Sequence, residues 1–170
     1  SLITNAALEK VIGLCVPGAD IHEICQQGDK FMEEELQKIF TNKKSKKLER
    51  GVAFPTCISI NYVMGHYSPL KDESMALQEG DLAKVDLGCH LDGFIATAAH
   101  TIIVSADTSS KVTGRKADVV LGAYHAFQAA QRLIKEAGTN TSVTEAIAKI
   151  CEAYEVSPIE GVLSHKMKKH

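Results

Sequence analysis

Asp86 is the residue whose chemistry most needs an account. It stands in Ala83-Lys84-Val85-Asp86-Leu87-Gly88, an apolar run of strand character, where an ionised carboxylate needs a cation, a metal or water to offset its desolvation. A few residues on, Asp92-Gly93 is the strongest short-range signal for a two-residue hairpin turn. A turn there sets Gly88 opposite Thr97, so Asp86 and Thr97 share a face as diagonal neighbours, about 7–8 Å apart at Cα. Two carboxylates at these positions would converge on one or two metal ions and could activate a water for hydrolysis. Position 97 carries a hydroxyl instead. By the same alternation His100 falls on the opposite face and does not complete a site. His90, His100 and His125 read as surface or hydrogen-bonded histidines. No Ser-His-Asp or Cys-His arrangement occurs at spacings that would supply another nucleophile.

The elements that must position these residues follow from periodicity and punctuation. Ala6, Val11, Ile12 and Cys15 predict a helix from Leu2 to Cys15, broken by Val16-Pro17-Gly18. Asp20-x-x-Glu23 is a capping-box pattern that opens a second helix, running to about Phe40 and interrupted near Gly28. An extended segment is expected from Phe54 to Tyr67, with His66 at its end and Ser68-Pro69 closing it. Leu82 to Leu91 and Phe94 to Val104 form the hairpin. A helix from Val112 to Ala137 ends at Gly138, and Ser142-x-x-Glu145 caps another from Val143 to Tyr154, stopped by Pro158. Two helices, a strand, a hairpin and two helices describe an α+β fold with helices on one face of an antiparallel sheet.

Composition bounds the rest. A chain of 170 residues, 45% hydrophobic and 24% charged with 4 Pro, is globular and is expected to build one core. Lys+Arg of 19 against Asp+Glu of 21 leaves a net charge of −2, which excludes a polycation that coats nucleic acid with its whole surface. No apolar run approaches the roughly 18 residues of a membrane span, and the first residues lack the pattern of a signal peptide, so a place inside the cell is expected. The five cysteines are odd in number and include no C-x-x-C pair; they are expected to be buried, reduced thiols. Charge is concentrated at Lys43-Lys44-Ser45-Lys46-Lys47-Leu48-Glu49-Arg50, where five cations meet one acid. On charge alone this run reads as a solvated loop or frayed helix end. A strand-like segment stopping at His170 leads us to expect that the chain is part of a larger protein.

Several strings resemble the first half of type II methionine aminopeptidases: Ala53-Phe54-Pro55-Thr56, His66-Tyr67-Ser68-Pro69, Gly80-Asp81, and Val85-Asp86-Leu87-Gly88 with Asp92-Gly93. Within that superfamily the chain is most similar to the proliferation-associated, ErbB-receptor-binding branch. Gly93-Phe94-Ile95-Ala96, Ala99-His100-Thr101, the stretch Val112-Thr113-Gly114-Arg115-Lys116-Ala117-Asp118-Val119, Val143-Thr144-Glu145-Ala146 and Pro158-Ile159-Glu160-Gly161 carry that likeness. The resemblance runs through nearly the whole chain. It implies the pita-bread fold, two similar halves around a curved antiparallel sheet, of which residues 1–170 supply the first half and a little of the second as one domain.

The resemblance also implies a site. The peptidases hold two metal ions with two aspartates on this hairpin, then a histidine and two glutamates. Asp86 matches the first aspartate, Thr97 stands in place of the second, His165 matches the metal histidine, and His66 matches a histidine that contacts substrate; the glutamates are expected beyond His170. Ser164 and Lys168 replace glycines that flank the metal histidine in the peptidases. A neutral hydroxyl supplies neither the charge nor the bridging geometry of a dinuclear centre, so His66, Asp86, Thr97 and His165 are expected to form a relic pocket, with no metal, no cofactor and no small-molecule substrate. The branch implies a non-catalytic protein that binds RNA or ribosomes and regulatory proteins in growth control, in the cytoplasm and the nucleus or nucleolus. On that basis Lys43, Lys44, Lys46, Lys47 and Arg50 become the expected nucleic-acid contacts. Aromatic residues are sparse at 5%, which favours phosphate contact and shape over base stacking. Two other readings stand beside this one: an active methionine aminopeptidase, and a protein-interaction scaffold without a nucleic-acid role.

Overall fold

The computed structural model describes residues 1–42, 47–162, 164 and 167–169. The chain divides into two compact units, 1–108 with 167–170, and 109–166. The first holds helices α1 (Leu2–Leu14) and α2 (Ile21–Lys38), then strands β1 (Arg50–Ile60), β2 (Leu82–Leu91) and β3 (Phe94–Ile103). The second holds helices α3 (Arg115–Leu133) and α4 (Asn140–Ala153). The α+β expectation, with helices layered on an antiparallel sheet, is met.

In the first unit the sheet has the order β1-β2-β3, antiparallel throughout. Asp92 (φ 51) and Gly93 (φ 75) both adopt left-handed backbone, as a type I′ turn requires, and the register places Gly88 opposite Thr97 and Val85 opposite His100, as the sequence predicts. Alternation then sorts β2. Ala83, Val85, Leu87 and Cys89 are buried and pack with Val11 of α1 and Ile21, Ile24, Met32 and Leu36 of α2, while Lys84, Asp86 and Gly88 point away from that core. Burying a side chain such as Leu87, with no exposed surface, contributes roughly 1.5–3 kcal/mol by transfer alone. All five cysteines are free and buried, as expected.

Four local expectations are corrected. Gly28 does not interrupt α2; the helix runs through it because a Cβ there would lie 2.7 Å from Thr56 Oγ1 and 2.9 Å from Val11 Cγ2. The glycine permits close packing of α2 against β1 and α1. The segment from Phe54 to Tyr67 is a strand only to Ile60, and the strand begins earlier, at Arg50. Asn61 (φ 49) and His66 (φ 62) turn the chain through left-handed backbone, and it comes back along β1: the Ile58 N–H donates to Tyr67 O at 2.9 Å, and the Tyr67 N–H to Ser59 Oγ at 3.2 Å. Helix α3 is shorter at both ends than 112–137, starting after Gly114 (φ 69) and stopping where Ile134 turns extended. Helix α4 starts at Asn140, three residues before its predicted first turn, because Thr139 and not Ser142 is its cap: Thr139 Oγ1 accepts from the Ser142 N–H at 3.3 Å. The predicted cap of α2 holds, with Asp20 Oδ1 accepting from the Glu23 N–H at 3.0 Å.

The second unit is closed by its own contacts. Arg115, in the first turn of α3, donates through Nη1 to Tyr154 O at 3.2 Å and through Nη2 to Glu155 O at 2.6 Å, which satisfies carbonyls at the end of α4. His125 stacks on Tyr154 with ring centroids 5.8 Å apart. Gly122 lies under Tyr154 and Val156, where a Cβ would meet Val156 Cγ2 at 3.1 Å.

Candidate functional site

The face of the sheet turned away from the helices carries the candidate site, and β1 shapes it. Its register slips twice, between Val52 and Phe54 and between Phe54 and Cys57, so that Phe54 pairs with Gly88 and Cys57 with Asp86. Asp29 of α2 holds this irregular stretch from below: its Oδ1 accepts from the Thr56 N–H at 2.8 Å and from the Thr56 hydroxyl at 2.7 Å. The Phe54 ring consequently lies on Gly88, where a Cβ would come within 2.7 Å of Phe54 Cε1. Gly88 is therefore needed for space, since any side chain there would displace the ring.

Beside that ring stand Asp86, half-buried, and on the neighbouring strand Thr97, exposed, which pairs with Gly88. Desolvation pushes the Asp86 carboxyl above the ordinary carboxylate range, and the charge of His66 on the returning loop opposes that rise. The Cys57 thiol is pushed up by burial and then by the Asp86 and Asp29 carboxylates. Lys84, two residues before Asp86 on the same face, has its ammonium pKa lowered by burial and donates to Asn61 O at 2.9 Å. The register sets Asp86 and Thr97 on one face of the hairpin, and the charge of His66 reaches Asp86; His165 lies outside the described residues. Thr56 and Asp29, which hold the irregular stretch of β1 against α2, were missed in the sequence. Their signal is faint, because a capping carboxylate in mid-helix looks like any solvated acid.

These residues do not fit a metal pair. One carboxylate faces one neutral hydroxyl, and among the described residues no three His, Cys, Asp or Glu side chains gather in a way that could hold a metal ion. His100 stays on the helix side of the sheet, opposite Val85. His90 is half-buried, its Nδ1 accepting from the Gly93 N–H at 3.4 Å within the hairpin turn.

The expected basic contacts divide differently. Lys43, Lys44 and Lys46 lie outside the described residues. Lys47 is exposed. Arg50 is half-buried at the start of β1, and its Nη1 donates to Leu36 O at 3.3 Å and Ile39 O at 2.9 Å, closing the C-terminus of α2. Its guanidinium is thereby engaged with the helix end.

The family model described as metallopeptidase family M24 matches residues 1–168. ERBB-3 binding protein 1 of Arabidopsis thaliana is 48% identical over 168 residues, 99% of this chain and 42% of that protein. A curved DNA-binding protein of Schizosaccharomyces pombe is 41% identical over 170 residues, 98% of this chain and 43% of that protein. Among solved structures, a thermophilic Arx1 superposes with a TM-score of 0.74 at 30% identity, over 90% of this chain and 46% of the other. The chain spans less than half the length of each of these relatives.

Proposed function

The chain belongs to metallopeptidase family M24, and on that premise we propose that it is a non-catalytic member that acts by binding RNA or ribosomes and regulatory proteins. The observation that carries the reading is Thr97. It stands on Asp86's face of the hairpin, where the peptidases place a second carboxylate, and offers a weak neutral donor in its stead. Without a metal-activated water, amide hydrolysis at this site has no nucleophile, since the nearest thiol, Cys57, is held in its protonated form by burial. The face that remains has Phe54 over Gly88 and Asp86 within reach of the charge of His66.

Support for a binding role comes from the relatives' names: one is called a binding protein for ERBB-3 and another a DNA-binding protein. The Lys43 to Lys47 run supplies phosphate attraction of the kind a nucleic-acid partner would need, and Arg50 contributes by fixing the helix end from which that run departs. We place this activity in the cytoplasm and nucleus, where both kinds of partner occur.

The test is metal content and methionine-peptide cleavage of the full-length protein after loading with manganese, cobalt or zinc, with Asp86→Ala as control. Neither metal nor turnover is expected. Stoichiometric metal that disappears in the control, together with turnover, would overturn the reading and make this an aminopeptidase with an altered ligand set.

A further inference from the structure

We infer that the groove between α3 and α4 in the second unit docks a peptide segment of a partner protein, one that carries an aspartate or glutamate close to a leucine or an aromatic residue. The inference rests on the protein-binding part of the reading above and names the chemistry of that partner. The groove holds about 600 Å³ and is lined from α3 by Tyr124, His125, Gln128 and Arg132 and from α4 by Ile150 and Tyr154. Spacings of three and four residues place His125, Gln128 and Arg132 on one face of α3, and Tyr124 to Arg132 runs roughly 12 Å along the helix. The exposed apolar residues Val119, Ala123 and Phe127 fall on the opposite face of α3, so the groove and that stripe are separate surfaces.

The chemistry of the groove is set by donors that lack acceptors. Arg132 Nη1 donates to Gln128 O at 2.6 Å and to Gln128 Oε1 at 2.9 Å, which holds the guanidinium in place. Its other edge, Nε with Nη2, meets no acceptor among the described residues, and that edge takes a carboxylate side-on through two parallel hydrogen bonds. The hydroxyls of Tyr124 and Tyr154 are likewise without a hydrogen-bond partner among the described residues. No aspartate or glutamate lines the groove, so the charge it presents is positive. One guanidinium, with no lysine or second arginine beside it, matches the single charge of a carboxylate better than the double charge of a phosphate.

The apolar half of the ligand follows from the rings. His125 stacks on Tyr154, and Tyr124 meets His125 edge-on with centroids 5.3 Å apart, so three rings that already hold one another offer contact area at little further cost in entropy. Ile150 adds an aliphatic surface between them and the helix end. Tyr124 is 55% exposed, and His125 and Arg132 are exposed too, so the groove is an open trough that an extended chain spans. A small ligand would need an enclosing cavity instead.

The experiment screens the full-length protein against an array of acetylated octapeptides in which a Leu, Phe or Tyr is set at varied spacing from an Asp or Glu, beside the same peptides with Asn or Gln in place of the acid. The tightest binder is then titrated against the parent and against Arg132→Gln, Arg132→Lys and Lys135→Gln, with thermal melts to check that each remains folded. We expect the amide peptide and Arg132→Gln each to weaken binding about tenfold or more, and Arg132→Lys to recover only part of that loss, since an ammonium lacks the planar fork. Lys135→Gln, which removes an exposed cation outside the groove, should match the parent. If the amide peptide binds as well as the acid, or Arg132→Gln binds as well as the parent, the groove is wrong and the protein-binding reading stands. If no peptide binds, the inference falls; self-association that Arg132→Gln abolishes would then assign the groove to a second copy of the chain. Metal-dependent turnover by the same preparation would bring down the underlying reading as well.

Discussion

The two faces of the β2–β3 hairpin share one backbone and one register, yet they are built to different ends. On the helix side Val85, Leu87 and Cys89 are sealed under α1 and α2, and a change of volume is felt at once. On the other side Asp86 and Thr97 flank a glycine chosen for the space it leaves to Phe54. One face is determined by packing. The other carries one carboxylate, Asp86, and one hydroxyl, Thr97, beside the Phe54 ring. The comparison teaches that packing and surface chemistry can vary separately, because the two depend on alternate residues of the same strands.

Substitutions can break this comparison, or sharpen it, in order of size. Leu87→Ala should cost about 2–5 kcal/mol in denaturant unfolding, whereas Thr97→Ala, one strand away on the other face, should change stability by no more than about 0.5 kcal/mol. Equal costs would erase the distinction between the faces. Gly28→Ala should cost about 1–3 kcal/mol by the same measurement, because the added methyl meets Thr56 and Val11 and β1 must give way.

A gain of function is the sharper probe of the open face. Thr97→Asp in the full-length protein should raise affinity for manganese or cobalt about tenfold or more by calorimetry, that is, by about 1.4 kcal/mol. No gain with any metal tested would mean that the face is not a metal site lacking one ligand. The smallest effect concerns the carboxylate that remains. Because the folded-state pKa of Asp86 lies above its unfolded value, the native state holds that proton more tightly than the unfolded chain does. Asp86 therefore costs nothing at acid pH, where it is protonated in both states, and destabilises the fold as pH rises through the raised value. Asp86→Asn should stabilise the protein at pH 7 and leave it unchanged near pH 3, read from Tm against pH.

Much of this was legible in the sequence because it is local. Asp92-Gly93 admits one turn, the turn sets the register, and the register decides that Asp86 and Thr97 share a face while His100 does not. The cap at Asp20 was equally plain. Where several residues could do the same job, local reading erred: Thr139, Thr141 and Ser142 are all competent caps, and the hydroxyl nearest the preceding turn took the role. Gly28 read as a helix break because propensity counts its entropy and cannot see Thr56 pressed against it from a strand almost thirty residues away. Arg50 read as part of a basic surface run, yet it is turned back onto the carbonyls of α2.

The amino-acid sequence by itself determined the class of fold, the hairpin and its register, and the absence of a second carboxylate at position 97, since each depends on residue identity and near neighbours. Tertiary structure decided which polar groups are engaged: that Asp29 grips Thr56, that Arg50 closes a helix, and that Lys169 comes home to Asp92. The reason is physical. Turns and alternation are enforced by backbone sterics within a few residues, whereas the partner of a charged side chain is whatever the packed core leaves within about 3 Å of it.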